Sequence, residues 1–257
     1  MKASFPRLVL QASVALVVSC VAAWSESADE LIKKGDVFYD RLNASEALKY
    51  YLPAEKLEPE NAQLLVRIAR EYRHLMSDAG SNDEKYRLGS TALDYSRRAV
   101  ALAPNDSETQ LALAITYGKI LPLVSSNKEK MESSRLIKAA AEKVIKLDPR
   151  NDLGWHVLGR WNLVLAEISG VKRALAQVVY GKLPPATNEE AVRCFEKAIA
   201  LNPNRLMHYI ELGRTYAQMD RKDDARKFIN KGLCMRDTEK DDPETKQKGR
   251  EILAKLR

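Results

Sequence analysis

The sequence predicts an all-α fold, a solenoid of about five helix-turn-helix repeats closed by a C-terminal helix. Three observations carry this prediction. The 257 residues are 45% hydrophobic and 30% charged, with only 11 glycines and 10 prolines, a globular composition rich in strong helix formers. A two-helix pattern recurs along the chain. Its fullest copy, Asp152 to Asn204, sets Trp155 and Leu158-Gly159 on a first helix, then Ala191, Phe195, Ala198 and Pro203 on a second. Finally, Pro59, Pro104, Pro149 and Pro203 end successive copies, as prolines do just past a helix.

W-x-x-L-G on helix A, followed by A-x3-F-x2-A and a terminal proline on helix B, is the tetratricopeptide pattern. In the first repeat (28–61), Leu31, Gly35 and Phe38 take the helix A positions, and Ala47, Tyr51, Ala54 and Pro59 those of helix B. Ser27 with Glu30, and Asn43 with Glu46, are spaced as capping boxes. Lys34 stands where leucine is usual, and Pro53 predicts a kink or break in helix B. The second repeat (62–106) carries Leu65, Ile68, Ala69 and Tyr72, then Ala92 and Ala99. Its excess length falls in Met76 to Gly89, read as a polar loop plus an extended helix start. In the third (107–151), Leu113, Ala114 and Tyr117 are in register. Asn105 and Glu108 supply the cap, Pro122 to Lys128 form a loop, and Ile137, Ala141 and Val144 hold the helix B positions. The fourth (152–204) has the largest insert, 167–187, and Thr187 with Glu190 restarts helix B. The fifth (206–239) carries Tyr209, Leu212-Gly213, Tyr216, Ala225, Ile229 and Gly232. Asp242-Pro243 then starts a capping helix (242–257), with Asp242 as N-cap and apolar Ile252 and Leu256.

The first residues differ in kind. Lys2 and Arg7 precede a mostly apolar stretch, Leu8 to Val18, too short to span a bilayer. Residues 1–23 therefore read as an export signal, with small residues at Val21-Ala22-Ala23 for cleavage. Val17-Val18-Ser19-Cys20 also matches a weak lipobox, which would put a lipid on Cys20 and anchor the chain to a membrane. The expected location is periplasmic or secreted, a membrane-anchored lipoprotein on the second reading, and cytoplasmic if the segment is not a signal. Cleavage removes two of 42 basic residues and none of 35 acidic ones, so the net charge falls from +7 to about +5. That suits an acidic partner. No nucleic-acid motif accompanies it. Cys194 reads as a buried apolar residue, and nothing in the spacing of Cys194 and Cys234 argues for a disulfide, although an oxidising compartment would permit one.

Leu158-Gly159-Arg160-Trp161, Glu167-Ile168, Lys172-Arg173, Tyr180-Gly181, Pro184-Pro185-Ala186-Thr187, Glu190-Ala191, Phe195, Ala198 and Asn202-Pro203 together resemble the regulator of microtubule dynamics family. The resemblance extends back through Leu147-Asp148-Pro149 and forward through Leu212-Gly213 and Tyr216. It implies an all-helical fold of tetratricopeptide-like repeats. It also implies association with microtubules, spindle poles and mitochondrial or endoplasmic-reticulum contacts. An export signal does not fit a cytosolic microtubule partner, so an exported bacterial-type relative is expected to share the fold and not the microtubule role.

In tetratricopeptide solenoids, helix A positions 2, 5, 9, 12 and 13 line the concave groove, because these spacings nearly complete whole helical turns. Here they bring basic residues together: Arg70, Arg73 and His74 of the second repeat, Lys119 of the third, His156 and Arg160 of the fourth, and Arg214 of the fifth. The accompanying carboxylates are Glu108 and, in the first repeat, Asp29, Asp36 and Asp40. Arginines in such a surface hold carboxylates by bidentate, charge-assisted bonds. The expected function is a scaffold binding an acidic or extended peptide, with a microtubule-associated role as the alternative. The plainer reading is that Arg160 and Arg214 pair with carboxylates of adjoining repeats and only orient them. Trp155 and Trp161 are expected in the core, and the apolar side of Val171 to Tyr180 is expected to cover its own repeat. His74, His156 and His208 stand on separate repeats without metal-ligand spacing. There is no phosphate-cradling glycine loop and no nucleophile elbow. A non-catalytic chain without cofactor or metal is the consequence.

Overall fold

The computed structural model describes residues 26–168 and 185–256. The N-terminal stretch read as an export signal, with Cys20, and most of the insert, with Lys172-Arg173, Tyr180-Gly181 and Pro184, lie outside the described residues. Within them are eleven α-helices and one short 3₁₀ turn at Leu121–Leu123, with no strand. The first repeat is α1 (Ala28–Tyr39) and α2 (Ala44–Leu57), and the second α3 (Ala62–Asp78) and α4 (Asn82–Leu102). The third is α5 (Ser107–Ile120) and α6 (Asn127–Leu147), and the fourth α7 (Asp152–Ala166) and α8 (Asn188–Leu201). The fifth is α9 (Leu206–Gln218) and α10 (Lys222–Leu233), followed by α11 (Asp242–Lys255).

Each A helix packs on its own B helix, and each B helix on the next A helix; α3, α5, α7 and α9 also touch in succession. The small residues of the pattern allow this. A Cβ added at Gly159 would stand 2.9–3.1 Å from the Phe195 ring, so glycine on α7 makes the slot that the α8 aromatic fills. Phe195 is fully buried there, in one cluster with Leu163, Leu212 and Tyr216, and burial of such a side chain contributes roughly 1.5–3 kcal/mol. Helix α11 packs on α9 and α10, bringing Ile252, Leu253 and Leu256 to the same cluster. This closes the apolar seam that an open solenoid end would expose.

The extra length of the second repeat goes into long helices, leaving only residues 79–81 between α3 and α4. Ser27 and Glu30 form the reciprocal capping box, while Asn43 and Thr187 each accept from the backbone N–H three residues on. Two caps fall one residue from their expected places. Asp106, not Asn105, caps α5 by accepting from the Thr109 N–H at 2.9 Å. Asp241, not Asp242, is the N-cap residue of α11, and the Asp242 carboxylate turns back to accept from Thr238 and Glu239 N–H. Asp106→Ala is therefore expected to cost about 1 kcal/mol, or roughly 2–4 °C in thermal midpoint. Asn105→Ala should change little. Equal losses in a thermal melt would restore Asn105 as the cap.

Helix α2 continues through Pro53 without a break. Trp155 is not core. It is half-buried, and its indole N–H donates to the Pro149 carbonyl at 3.0 Å, clasping the corner before its own helix. Trp161 is core, donating to the Ser134 carbonyl and hydroxyl of α6. Cys194 is buried, and burial pushes its thiol up to about 11. Cys194 and the exposed Cys234 are both free thiols.

Candidate functional site

The A helices form the layer that lines the inner face of such a solenoid, and polar side chains stitch each A helix to the next. Arg67 of α3 pairs with Asp36 of α1 at 3.0 Å, and that carboxylate also accepts from Tyr51 at 2.5 Å. Arg73 of α3 donates to Thr116 of α5, and Lys119 of α5 to Ser77 of α3. Asn151, ahead of α7, donates to Glu108 of α5. His156 of α7 meets His208 of α9, and Arg160 of α7 pairs with Glu211 of α9.

The predicted basic residues thus share one layer, but in different states. Arg160 is 47% exposed, and its contact with Glu211 is 3.5 Å. Arg214 is partly exposed and reaches both Glu211 and Glu167. Arg70 pairs with the buried Glu71 at 3.1 Å and lies 3.4 Å above the Tyr39 ring centroid, a cation–π contact. His74 stacks on Tyr39 and approaches Glu71 at 3.2 Å. Arg73 is only 6% exposed. Burial lowers its pKa to about 10, with the neighbouring Arg70 adding to the effect. Among the described residues no carboxylate stands within ion-pair distance of Arg73, and Thr116 and Ser96 form the hydroxyl pair beside it. Burial also lowers the pKa of Lys119, against the pull of Asp241.

Arg160 pairs with a carboxylate of the adjoining repeat, as in the plainer reading of the sequence, whereas Arg214 pairs with Glu211 of its own helix and with Glu167 at the end of α7. Glu71 and Glu211 were the residues that reading missed. Both lie off the groove positions, yet each forms an i,i+3 pair with a predicted residue, Glu71 with His74 and Glu211 with Arg214.

Two assemblies join residues far apart in sequence. In one, Asp241, just ahead of α11, reaches the α3–α5 seam. Its carboxylate lies 2.6 Å from Lys119 Nζ and accepts from Ser77 Oγ at 2.5 Å, across 164 residues of chain. Burial opposes ionisation, but the Lys119 charge and the hydrogen bonds from Lys119 and Ser77 hold Asp241 below the usual carboxylate range.

In the other, His156 Nδ1 and His208 Nδ1 are 2.9 Å apart, and His208 Nε2 lies 2.8 Å from Asp152. Histidines on separate repeats are therefore partners. Burial drives the His156 pKa well below its ordinary value, with His208, Arg160 and Arg205 adding to it. Burial also lowers that of His208, against the raising effect of Asp152. The Asp152 pKa is lowered although burial opposes this, because His208 donates to it and Arg205 stands 3.4 Å away. No group of three or more His, Cys, Asp or Glu among the described residues is placed to hold a metal ion. No helix among them is long and apolar enough to cross a membrane.

Among solved structures, the chain is similar to a thermophilic TPR protein of Thermus thermophilus, with a TM-score of 0.65 and 17% identity over 89% of this chain and 100% of that one. MamA 41-end from Desulfovibrio magneticus RS-1 gives 0.51 and 16% identity, over 82% of this chain and 96% of that one. These likenesses show the tetratricopeptide-like fold. Among curated relatives, regulator of microtubule dynamics protein 1 of Mus musculus is 31% identical over 196 residues, covering 76% of this chain and 63% of its own length. Regulator of microtubule dynamics protein 2 of Homo sapiens is 26% identical over 208 residues, 79% of this chain and 49% of that protein. The chain thus spans less than two thirds of the length of these relatives. The family model described as regulator of microtubule dynamics protein 1-3 matches residues 26–257, and the chain belongs to that family.

Proposed function

We propose that this chain is an interaction scaffold whose A-helix layer binds an acidic, extended peptide segment. The observation that carries the proposal is the seating of Asp241: a carboxylate from a non-helical segment is already held by Lys119 and Ser77 in that layer. Beyond it, Arg160 and Arg214 converge on Glu211 across gaps of 3.5 Å, Arg214 also reaching Glu167 at 3.7 Å, and both guanidiniums are partly exposed. Each has N–H groups left to meet a ligand carboxylate.

A Glu/Asp-rich fluorescent peptide provides the test. Replacing Lys119, Arg160 and Arg214 together with glutamine is expected to weaken its binding at least tenfold, about 1.4 kcal/mol or more. Raised salt should weaken binding to the unaltered protein. Unchanged affinity in the triple variant, with helicity intact by circular dichroism, would refute the proposal. The names of the relatives favour a second reading, a regulator of microtubule dynamics. Acidic tubulin tails have the chemistry this layer would accept. Co-pelleting with intact microtubules, and not with microtubules stripped of their tails, would support it.

A further inference from the structure

The connection from α10 to α11, residues 234–241, crosses to the α3–α5 seam and is held there at several points. Asp241 sits on Lys119 and Ser77, and Lys240 pairs with Asp78 of α3 at 2.8 Å. From the other side Arg205, ahead of α9, reaches Glu239 at 3.4 Å. Lys246 of α11 fixes the start of the segment through the Met235 carbonyl and Asp237. These are polar contacts. None of residues 234–241 joins any of the hydrophobic clusters, and Cys234, Arg236, Asp237 and Thr238 are exposed. The Thr238 and Glu239 N–H groups also donate to the buried Asp242, so lifting the segment breaks polar bonds while uncovering little apolar surface.

What it covers is a site built for an anion. Lys119 and the buried Arg73 lie on the two sides of the seam, and Asp241 supplies the carboxylate there. Its departure would leave Lys119 without its carboxylate partner, beside the already unpaired Arg73, in a partly desolvated place where ionic contacts are strong.

We propose that residues 235–241 are a strap occupying the acidic-peptide site, and that an external acidic segment binds at Lys119 and Ser77 by displacing Asp241. This rests on the scaffold reading above and adds its regulation. The affinity of an external ligand is reduced by the fraction of molecules whose strap is closed, so a strap closed nine times in ten weakens apparent binding about tenfold.

The experiment titrates a fluorescein-labelled peptide copying residues 235–243 into the full chain. Asp241→Asn keeps the size of the side chain and a residue type favoured at an N-cap while removing its charge, and is expected to tighten binding about tenfold. Lys119→Ala is expected to weaken binding both in the unaltered protein and in the Asp241→Asn background. Hydrogen exchange at the backbone amides of residues 236–240 should speed up when peptide is bound. Binding that is equal in Asp241→Asn and the unaltered protein, or unchanged exchange on the strap, overturns the strap while leaving the acidic-peptide site standing. No binding to any of the proteins overturns both.

Discussion

Alanine at Gly213 is expected to lower the thermal midpoint, while alanine at Gly118 raises it. Both glycines lie inside A helices, Gly213 in α9 and Gly118 in α5. In helix propensity alone, each substitution should gain up to about 1 kcal/mol. Packing separates them. A Cβ at Gly118 meets nothing within 4 Å, so the propensity gain stands. At Gly213 the new atom would lie 2.5 Å from Ile229 Cγ1, 2.9 Å from the Ile229 backbone nitrogen and 3.0 Å from the Ala225 carbonyl. Two of these three atoms are backbone of α10, so no rotamer change relieves the contact and the helices must separate. Overpacking of this kind costs roughly 1–3 kcal/mol, with the upper end appropriate where backbone must move. The net expectation is a loss of about 2 kcal/mol at Gly213, or roughly 4–8 °C. Urea and thermal melts of the two variants decide it. A stabilised Gly213→Ala protein would mean that α9 and α10 are not in contact at this point.

That contrast explains why the fold was legible. The tetratricopeptide pattern records packing constraints: Gly159 beside Phe195, Gly213 beside Ile229, Ala191 and Ala198 where helices meet. Each constraint names a residue type, and the repeats restate it, so one sequence suffices. Trp155 shows the limit, because a motif position specifies a type and not its depth, and this tryptophan clasps the Pro149 corner. The cap at Asp106 slipped by one for a similar reason, since Asn and Asp are equally favoured N-cap types and the sequence places them side by side. The inner layer was half legible. Its basic residues follow from helical spacing, and the i,i+3 carboxylates Glu71 and Glu211 were within reach of the same arithmetic. Asp241 on Lys119, and His156 on His208, carry no local mark. They depend on how the repeats stack and where the last connection crosses the face.

The histidine pair predicts a pH-dependent loss of stability. With His208 Nε2–H donating to Asp152, neutral His208 presents an unprotonated Nδ1, and His156 Nδ1–H donates to it across the 2.9 Å contact. Charging both rings would set two N–H groups against each other, with the Phe195 ring edge-on to His156 and Arg160 and Arg205 adding like charge. Asp152 and, through Arg205, Glu239 are the countercharges. Because both folded pKa values are depressed from 6.5, the unfolded chain takes up protons before the folded one as pH falls. The pair's full contribution is present above about pH 6.5 and is lost as pH falls toward the folded values. Each histidine that stays neutral only when folded contributes about 1.4 kcal/mol per pH unit to the slope. For both together that is roughly 5–10 °C per pH unit in thermal midpoint. The double variant His156→Leu/His208→Leu removes both groups, leaves Asp152 with Arg205, and retains His74. Its melting temperature should fall much less between pH 7 and pH 5 than that of the unaltered protein. Parallel slopes would place the pH sensitivity elsewhere, whereas a flattened slope would assign it to the histidine pair in the seam between α7 and α9.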